Sequence, residues 1–190
     1  MTDTNTRIYI ANLGKYNEGE LVGEWIVLPF LEDELNELFV KIGLGKMVDG
    51  EYEHGLEVDG IVYEEFAIHD YESDIEGFKI GEYEDLESLN ELIERIEDLD
   101  DYEYKCFQAY REATGYSLKS CLEKAEYGNI TLYEDCDSLT DLAQSMVDEG
   151  LFGDTSQMGN LTNYIDYEAL GRDLGFDGYT ATSYGVVTTG

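Results

Sequence analysis

The stretch EYEDLESLNELIERIEDLDDYEYK, Glu82 to Lys105, places eleven carboxylates and two cations in twenty-four residues, yet its apolar residues keep a helical beat. Leu86, Leu89, Ile93, Ile96 and Leu99 recur every three or four positions, which predicts a helix from Leu86 to about Asp100 with one buried stripe. Glu87, Glu91, Glu94, Asp98 and Asp101 recur with the same spacing and form a second, acidic stripe, about 21 Å long at a rise of roughly 1.5 Å per residue. Like-charged neighbours such as Glu87/Glu91, Glu91/Glu94 and Glu94/Asp98 each cost about 0.2 to 0.5 kcal/mol. Solvated helix faces normally mix signs, so this imbalance asks for a cause other than solubility.

The excess is global. The 190 residues carry 44 acids against 11 bases, a net charge of -33, while 43% hydrophobic content is enough for a real core. Residues 1–84 hold 21 acids and 5 bases, 85–127 hold 12 and 5, and 128–190 hold 11 and 1. Self-repulsion of this size lowers the stability of a compact state, repels nucleic acid and anionic lipid, and attracts basic surfaces. The expected partner is therefore a protein that itself binds something anionic. Cys106, Cys121 and Cys136 are odd in number, form no CxxC pair and follow no signal-like segment, so they read as reduced core cysteines of a cytoplasmic protein. The longest apolar run, Trp25 to Leu28, ends at Pro29 and is far too short for a bilayer.

Along the chain, RIYIANL and Glu20 to Leu28 read as two strands opening the protein as a hairpin-like pair, and Leu31 to Ile42 as a helix closed by Gly43. Gly45 to Gly60 is glycine-rich and reads as a loop, and VYEEFAIHDYE as a third strand. Helical patterns follow over Tyr102 to Ala113 and Ser117 to Ala125. NITLYE reads as a strand, and Ser138 with Asp141 as a helix start ahead of Leu139 to Val147. Leu161 to Leu174 is a further predicted helix, and Tyr179 to Ala181 and Val186 to Thr188 are terminal strands. The fold class is α+β, in three small domains: 1–84, a sheet with one helix; 85–127, a helical block; 128–190, a mixed α/β part.

Catalytic chemistry finds little support. His54 and His69 lie in no HExxH and near no cysteine, and they read as structural. Forty-four carboxylates single out no acid/base pair. The DxDxDG calcium spacing and the GxxxxGK[ST] and GxGxxG phosphate loops are absent. No enzyme activity, cofactor or metal is expected. Tyrosine supplies sixteen of the 24 aromatic residues, often beside acids as in Glu51-Tyr52-Glu53, Glu82-Tyr83-Glu84 and Tyr102-Glu103-Tyr104. Such residues serve equally as half-buried rim residues and as recognition hot spots.

An ionised carboxylate resembles phosphate in being an acceptor-only group that takes charge-assisted bonds from arginine. Duplex DNA carries one charge per about 1.7 Å of axis, so 33 charges correspond to roughly 56 Å of duplex, longer than the roughly 42 Å of a compact globule of this length. An elongated shape or a dimer follows. Because phosphates position a protein without specifying sequence, a copy of the backbone blocks enzymes with different target sites. The candidate partner-binding face comprises Glu82, Glu84, Asp85, Glu87, Glu91, Glu94, Glu97, Asp98, Asp101 and Glu103, with Glu64, Glu65, Asp70 and Glu72 nearby in sequence.

The runs IYIANLGKYNEGELVGEW (Ile8 to Trp25), FAIHDYE (Phe66 to Glu72) and NYIDYEALGRDL (Asn163 to Leu174) together resemble the ArdA antirestriction proteins of conjugative plasmids and transposons, nearly end to end. The resemblance implies a DNA mimic that inhibits type I restriction-modification enzymes, built as an elongated, curved molecule of three domains that dimerises through its C-terminal part. The family's antirestriction motif is similar to LFGDTSQMGNLTNYI, Leu151 to Ile165, with Leu151, Asp154 and Leu161 in place and Ser156 where some relatives have proline. Only Asp154 is charged there, so Leu151, Phe152, Met158, Leu161, Tyr164 and Ile165 suit a packing or dimer surface better than a phosphate copy. Compared with the family pattern, Lys46 to Ile61 reads as an insertion. Two other readings compete: an acidic protein of a salt-loving organism, and an acidic module that binds basic partners without imitating a duplex.

Overall fold

A computed structural model describes residues 3–153 and 157–189. The chain divides into two compact units, one ending at Asp98 and the other beginning at Leu99. In the first, β1 (Arg7–Asn12) is the central strand of an antiparallel sheet ordered β2-β1-β7, where β2 is Gly23–Val27 and β7 is Phe66–Glu72. Alternation decides the faces: Ile8 and Ile10 are fully buried, while Tyr9 faces the other way, paired with Trp25 and Asp70. A short helix, α1 (Leu13–Asn17), fills the connection between β1 and β2; Asn12 starts it by accepting from the Lys15 N–H at 3.0 Å. Helix α2 (Glu32–Lys41) begins with three acids favourable to the helix dipole, and the Glu34 carboxylate accepts from the Leu31 N–H. Gly43 follows at φ +76°, as expected of a C-terminal glycine.

The segment read as a loop is not one. It forms two antiparallel hairpins, β3 (Gly45–Val48) with β4 (Glu51–His54), and β5 (Leu56–Val58) with β6 (Ile61–Tyr63). Each turns on an Asp-Gly pair, Asp49-Gly50 and Asp59-Gly60, with both residues at positive φ, the requirement of a tight two-residue hairpin turn. The expected third strand is therefore split, with β6 and β7 separated by Glu64 and Glu65.

The heavily acidic stretch forms α3 (Leu86–Asp98), which belongs to the first unit. Leu86, Leu89, Ile93, Ile96 and Leu99 are all buried. Side-chain bonds also tie the helix to the unit's other elements: Asn90 accepts from the Phe30 N–H at 2.7 Å and donates to its carbonyl at 3.0 Å.

In the second unit, α4 (Asp101–Thr114) and α5 (Leu118–Glu126) pack together. The sheet is ordered β8-β10-β9, with β8 at Leu132–Tyr133, β9 at Tyr179–Thr182 and β10 at Gly185–Thr188. Helix α6 (Leu139–Asp148) starts at Ser138, whose hydroxyl oxygen accepts from the Asp141 N–H, as expected. Helix α7 (Tyr167–Phe176) packs on α6 around Leu142, Ala143, Met146, Leu174 and Val186. Gly171 permits this approach, since a Cβ there would lie 2.9 Å from the Leu139 carbonyl. The helix predicted from Leu161 to Leu174 is interrupted. Gly159–Tyr164 is a 3-10 helix, and Asp166 starts α7 anew by accepting from the Ala169 N–H. All three cysteines are buried and free, their thiols pushed up by desolvation. No helix among the described residues is long and apolar enough to cross a membrane.

Candidate functional site

Helix α3 presents Glu87, Glu91, Glu94 and Asp98 as exposed residues spaced three or four apart, on the side opposite its buried leucines and isoleucines. From Glu87 to Asp98 the rise is roughly 16 Å at about 1.5 Å per residue. The row is shorter than the sequence suggested. Asp101 is not its next member: α3 ends at Asp98, and Asp100 caps a new helix by accepting from the Tyr102 and Glu103 N–H groups at 2.9 and 2.8 Å. Glu103 completes that cap, taking the Asp100 N–H at 3.0 Å. Asp101 and Glu103 thus belong to the second unit, on the first turn of α4.

Several other carboxylates of the expected face have local work. Asp85 starts α3, with the Ser88 N–H donating to it at 2.8 Å, and hydrogen bonds from the Ser88 side chain and amide hold its carboxyl below the usual carboxylate range. A depressed folded-state pKa gives stability that is complete above the unfolded value of about 3.9 and is lost as pH falls through the folded value. Asn at this position keeps the cap without the titration. The Tm advantage of the parent over Asp85→Asn should therefore shrink as pH is lowered from 5 to 2, and thermal melts across that range check it.

Glu97 points elsewhere. One carboxylate oxygen accepts from the Thr4 N–H at 3.0 Å and the Thr4 hydroxyl at 2.8 Å, and Thr4 and Thr6, both fully buried, share a 2.8 Å bond that continues to Ser73 at 2.7 Å. Truncation leaves buried donors without an acceptor, so Glu97→Ala should cost about 1 to 3 kcal/mol in urea unfolding. The exposed Glu94→Ala should stay within about 0.5 kcal/mol. Equal losses for the two would show that α3 is not anchored through Glu97.

Of the remaining candidates, Glu72 pairs with Arg7 at 2.6 Å, and the Arg7 guanidinium lies 4.8 Å from the centre of the Trp25 ring. Glu84 accepts from the Gly81 N–H at 3.2 Å, and Glu82 lies 4.0 Å from His69. Glu64 and Glu65 are exposed between β6 and β7, and Asp70 is exposed on β7. Lys15 holds Glu18 below the usual range, Lys41 does the same for Glu24, and Lys105 pairs with Glu134. The cations of these pairs lie off the α3 row.

The two histidines have packing surroundings. In His54 one ring nitrogen bonds the Tyr52 hydroxyl and the other the Glu64 carbonyl, both at 2.8 Å. His69 stands edge-on to Tyr16 at 4.6 Å. Among the described residues no three His, Cys, Asp or Glu side chains form a group able to hold a metal ion.

The second set of candidates follows α6. Leu151, Leu161 and Tyr164 are 64, 60 and 84% exposed, Phe152 and Met158 are exposed as well, and Ile165 is half-buried. Asp154 lies outside the described residues. The 3-10 helix Gly159–Tyr164 buries no residue. Phe176, 88% exposed at the end of α7, is a further large apolar group that sequence reasoning left out. Its signal was its position just past the apolar periodicity of that helix.

Comparison with curated proteins gives no match. A family model described as antirestriction protein (ArdA) matches residues 8–188, almost the whole sequence. With that span covered, the chain belongs to the ArdA family of antirestriction proteins.

Proposed function

We propose that this antirestriction protein acts as a DNA mimic, occupying the duplex-binding groove of type I restriction-modification enzymes through its carboxylates. The supporting observation is the α3 row: Glu87, Glu91, Glu94 and Asp98 are exposed on a helix fastened to its unit by buried leucines and isoleucines, Asn90 and Glu97. Fixed carboxylates meet the arginines that would hold phosphate oxygens, and they need little reordering on binding. The charge is not confined to this helix, since residues 1–98 carry 27 acids against 6 bases and 99–190 carry 17 against 5. The proposal includes a cytoplasmic site of action during entry of a mobile element and a homodimer joined by the apolar residues from Leu151 to Ile165. In that assembly two copies offer a longer stretch of charge than one.

Competition tests it: a type I enzyme, its labelled target duplex and this protein are mixed at two salt concentrations. Displacement of the duplex is expected at both, and the protein's own affinity for the enzyme, measured without DNA, should fall as salt rises because its ion pairs are screened; the duplex, held by counterion release, weakens with salt as well, so the two affinities are compared at each salt concentration. A merely acidic module, which lacks the spacing, leaves a specific duplex bound at moderate salt.

A further inference from the structure

We propose that the outer edge of β2, with the cleft between it and α2, is a docking site for an extended, cationic segment of a partner protein, which joins the sheet as a fourth strand. The backbone fixes which groups are available. The Leu28 N–H donates to the Thr6 carbonyl and the Asn12 N–H to the Val22 carbonyl, both at 2.8 Å, and Arg7 lies opposite Val27 in the register. In an antiparallel ladder with that phase, Ile26 and Glu24 bond to β1, whereas the N–H and C=O groups of Gly23, Trp25 and Val27 point outward. β2 is the edge of the order β2-β1-β7, and the backbones of Gly23 and Val27 make no hydrogen bond among the described residues. The Trp25 amide is within reach of the Glu24 carboxylate. The outward groups of Gly23 and Val27, with the Trp25 carbonyl between them, are the template that strand addition uses, and an arriving strand exchanges the Glu24 carboxylate for its own carbonyl at the Trp25 amide.

The cleft selects the occupant. It has a volume of about 570 Å³, an apolar lining that includes Ile26, Val27 and Leu38, and three carboxylates, Glu24, Glu34 and Glu37. Its single cation, Lys41, is paired with Glu24. An added strand turns alternate side chains toward α2, so the fitting sequence alternates arginine or lysine with an apolar residue. A second copy of this chain is the poorer occupant, because pairing β2 with β2 sets these carboxylates against themselves in molecules of net charge -33. The site involves none of the α3 row and does not depend on how the restriction enzyme is blocked.

The probe is the acetylated, amidated peptide Arg-Val-Arg-Val-Arg-Val, with a control in which alternate backbone nitrogens are methylated. Charge and side-chain sequence are equal in the two, but only the first can complete a ladder. Titrated into the whole 15N-labelled protein, the plain peptide should shift the Gly23 and Val27 amides and slow their exchange about tenfold or more at saturation. Methylation should weaken binding about tenfold, one lost pair of backbone bonds being about 1.4 kcal/mol. Glu37→Lys, at an exposed position that carries no cap, should weaken it severalfold. Equal affinity for both peptides, shifts confined to α3, or prior protection of the β2 amides that rises with protein concentration would each overturn the proposal, the last in favour of a second copy.

Discussion

Replacing Glu87, Glu91, Glu94 and Asp98 together by lysine is expected to abolish inhibition of a type I enzyme, raising the half-inhibitory concentration by at least about a hundredfold. Each lost charge-assisted contact is worth about 1.5 to 3 kcal/mol, and a lysine facing the enzyme's own cations adds repulsion. Four such sites would exceed a hundredfold several times over, but a charge surface spread over 44 acids is redundant, so the lower figure is the sound one. For the same reason single reversals should change inhibition by less than about tenfold. The fold should survive, because none of the four is buried and the net charge of -33 is relieved by eight units. Circular dichroism and a melt verify this before the competition assay is run. Full inhibition by a folded quadruple variant would remove α3 from the site.

The second large effect concerns assembly. The double variant Leu161→Glu, Tyr164→Glu is expected to convert the proposed dimer to monomer, raising its dissociation constant about a hundredfold or more in sedimentation velocity. Burying an exposed leucine or aromatic side chain contributes about 1.5 to 3 kcal/mol, and a carboxylate in its place must be desolvated without a partner. Inhibition should weaken with it, as a monomer offers a shorter run of charge to a groove made for a long duplex. Leu21→Glu is the control, at a position equally exposed but in the other unit. If it disturbs assembly as strongly, or if the parent sediments as a monomer, the apolar residues after α6 serve something other than self-association.

Local patterns carried most of the fold. The helices over 86–98, 101–114, 118–126 and 139–148 were legible because each combines an apolar stripe with a cap that can be read directly, among them Ser117 and Ser138. Gly45 to Gly60 reads as a loop from its glycine content alone, whereas Asp49-Gly50 and Asp59-Gly60 stand between short strands where a hairpin needs positive φ. Over Leu161 to Leu174 the periodicity runs on without a break, whereas the 3-10 helix closes at Ile165 and Asp166 caps a new helix. The candidate face was legible in composition but not in detail. No pattern says that Glu97 bends to Thr4, ninety-three residues away, or that Asp85 is taken by a cap while Glu94 is left to solvent. Charge is a one-dimensional property of the chain, and the partners that claim individual carboxylates are set by tertiary contacts.

The central strand of the first sheet is also the first to be made. On the ribosome β1 can pair with β2 almost at once, but its other edge must wait for β7, whose Glu72 lies opposite Arg7. At roughly 5 to 20 residues per second that delay lasts several seconds, during which the nascent chain offers an open, isoleucine-bearing edge. The segment synthesised in the interval makes α2 and two Asp-Gly hairpins, all closed through short-range contacts and so among the faster events of folding. The order of synthesis thus leaves only one slow, long-range closure in that sheet, and the acidity of the emerging chain keeps neighbouring copies apart until it is complete.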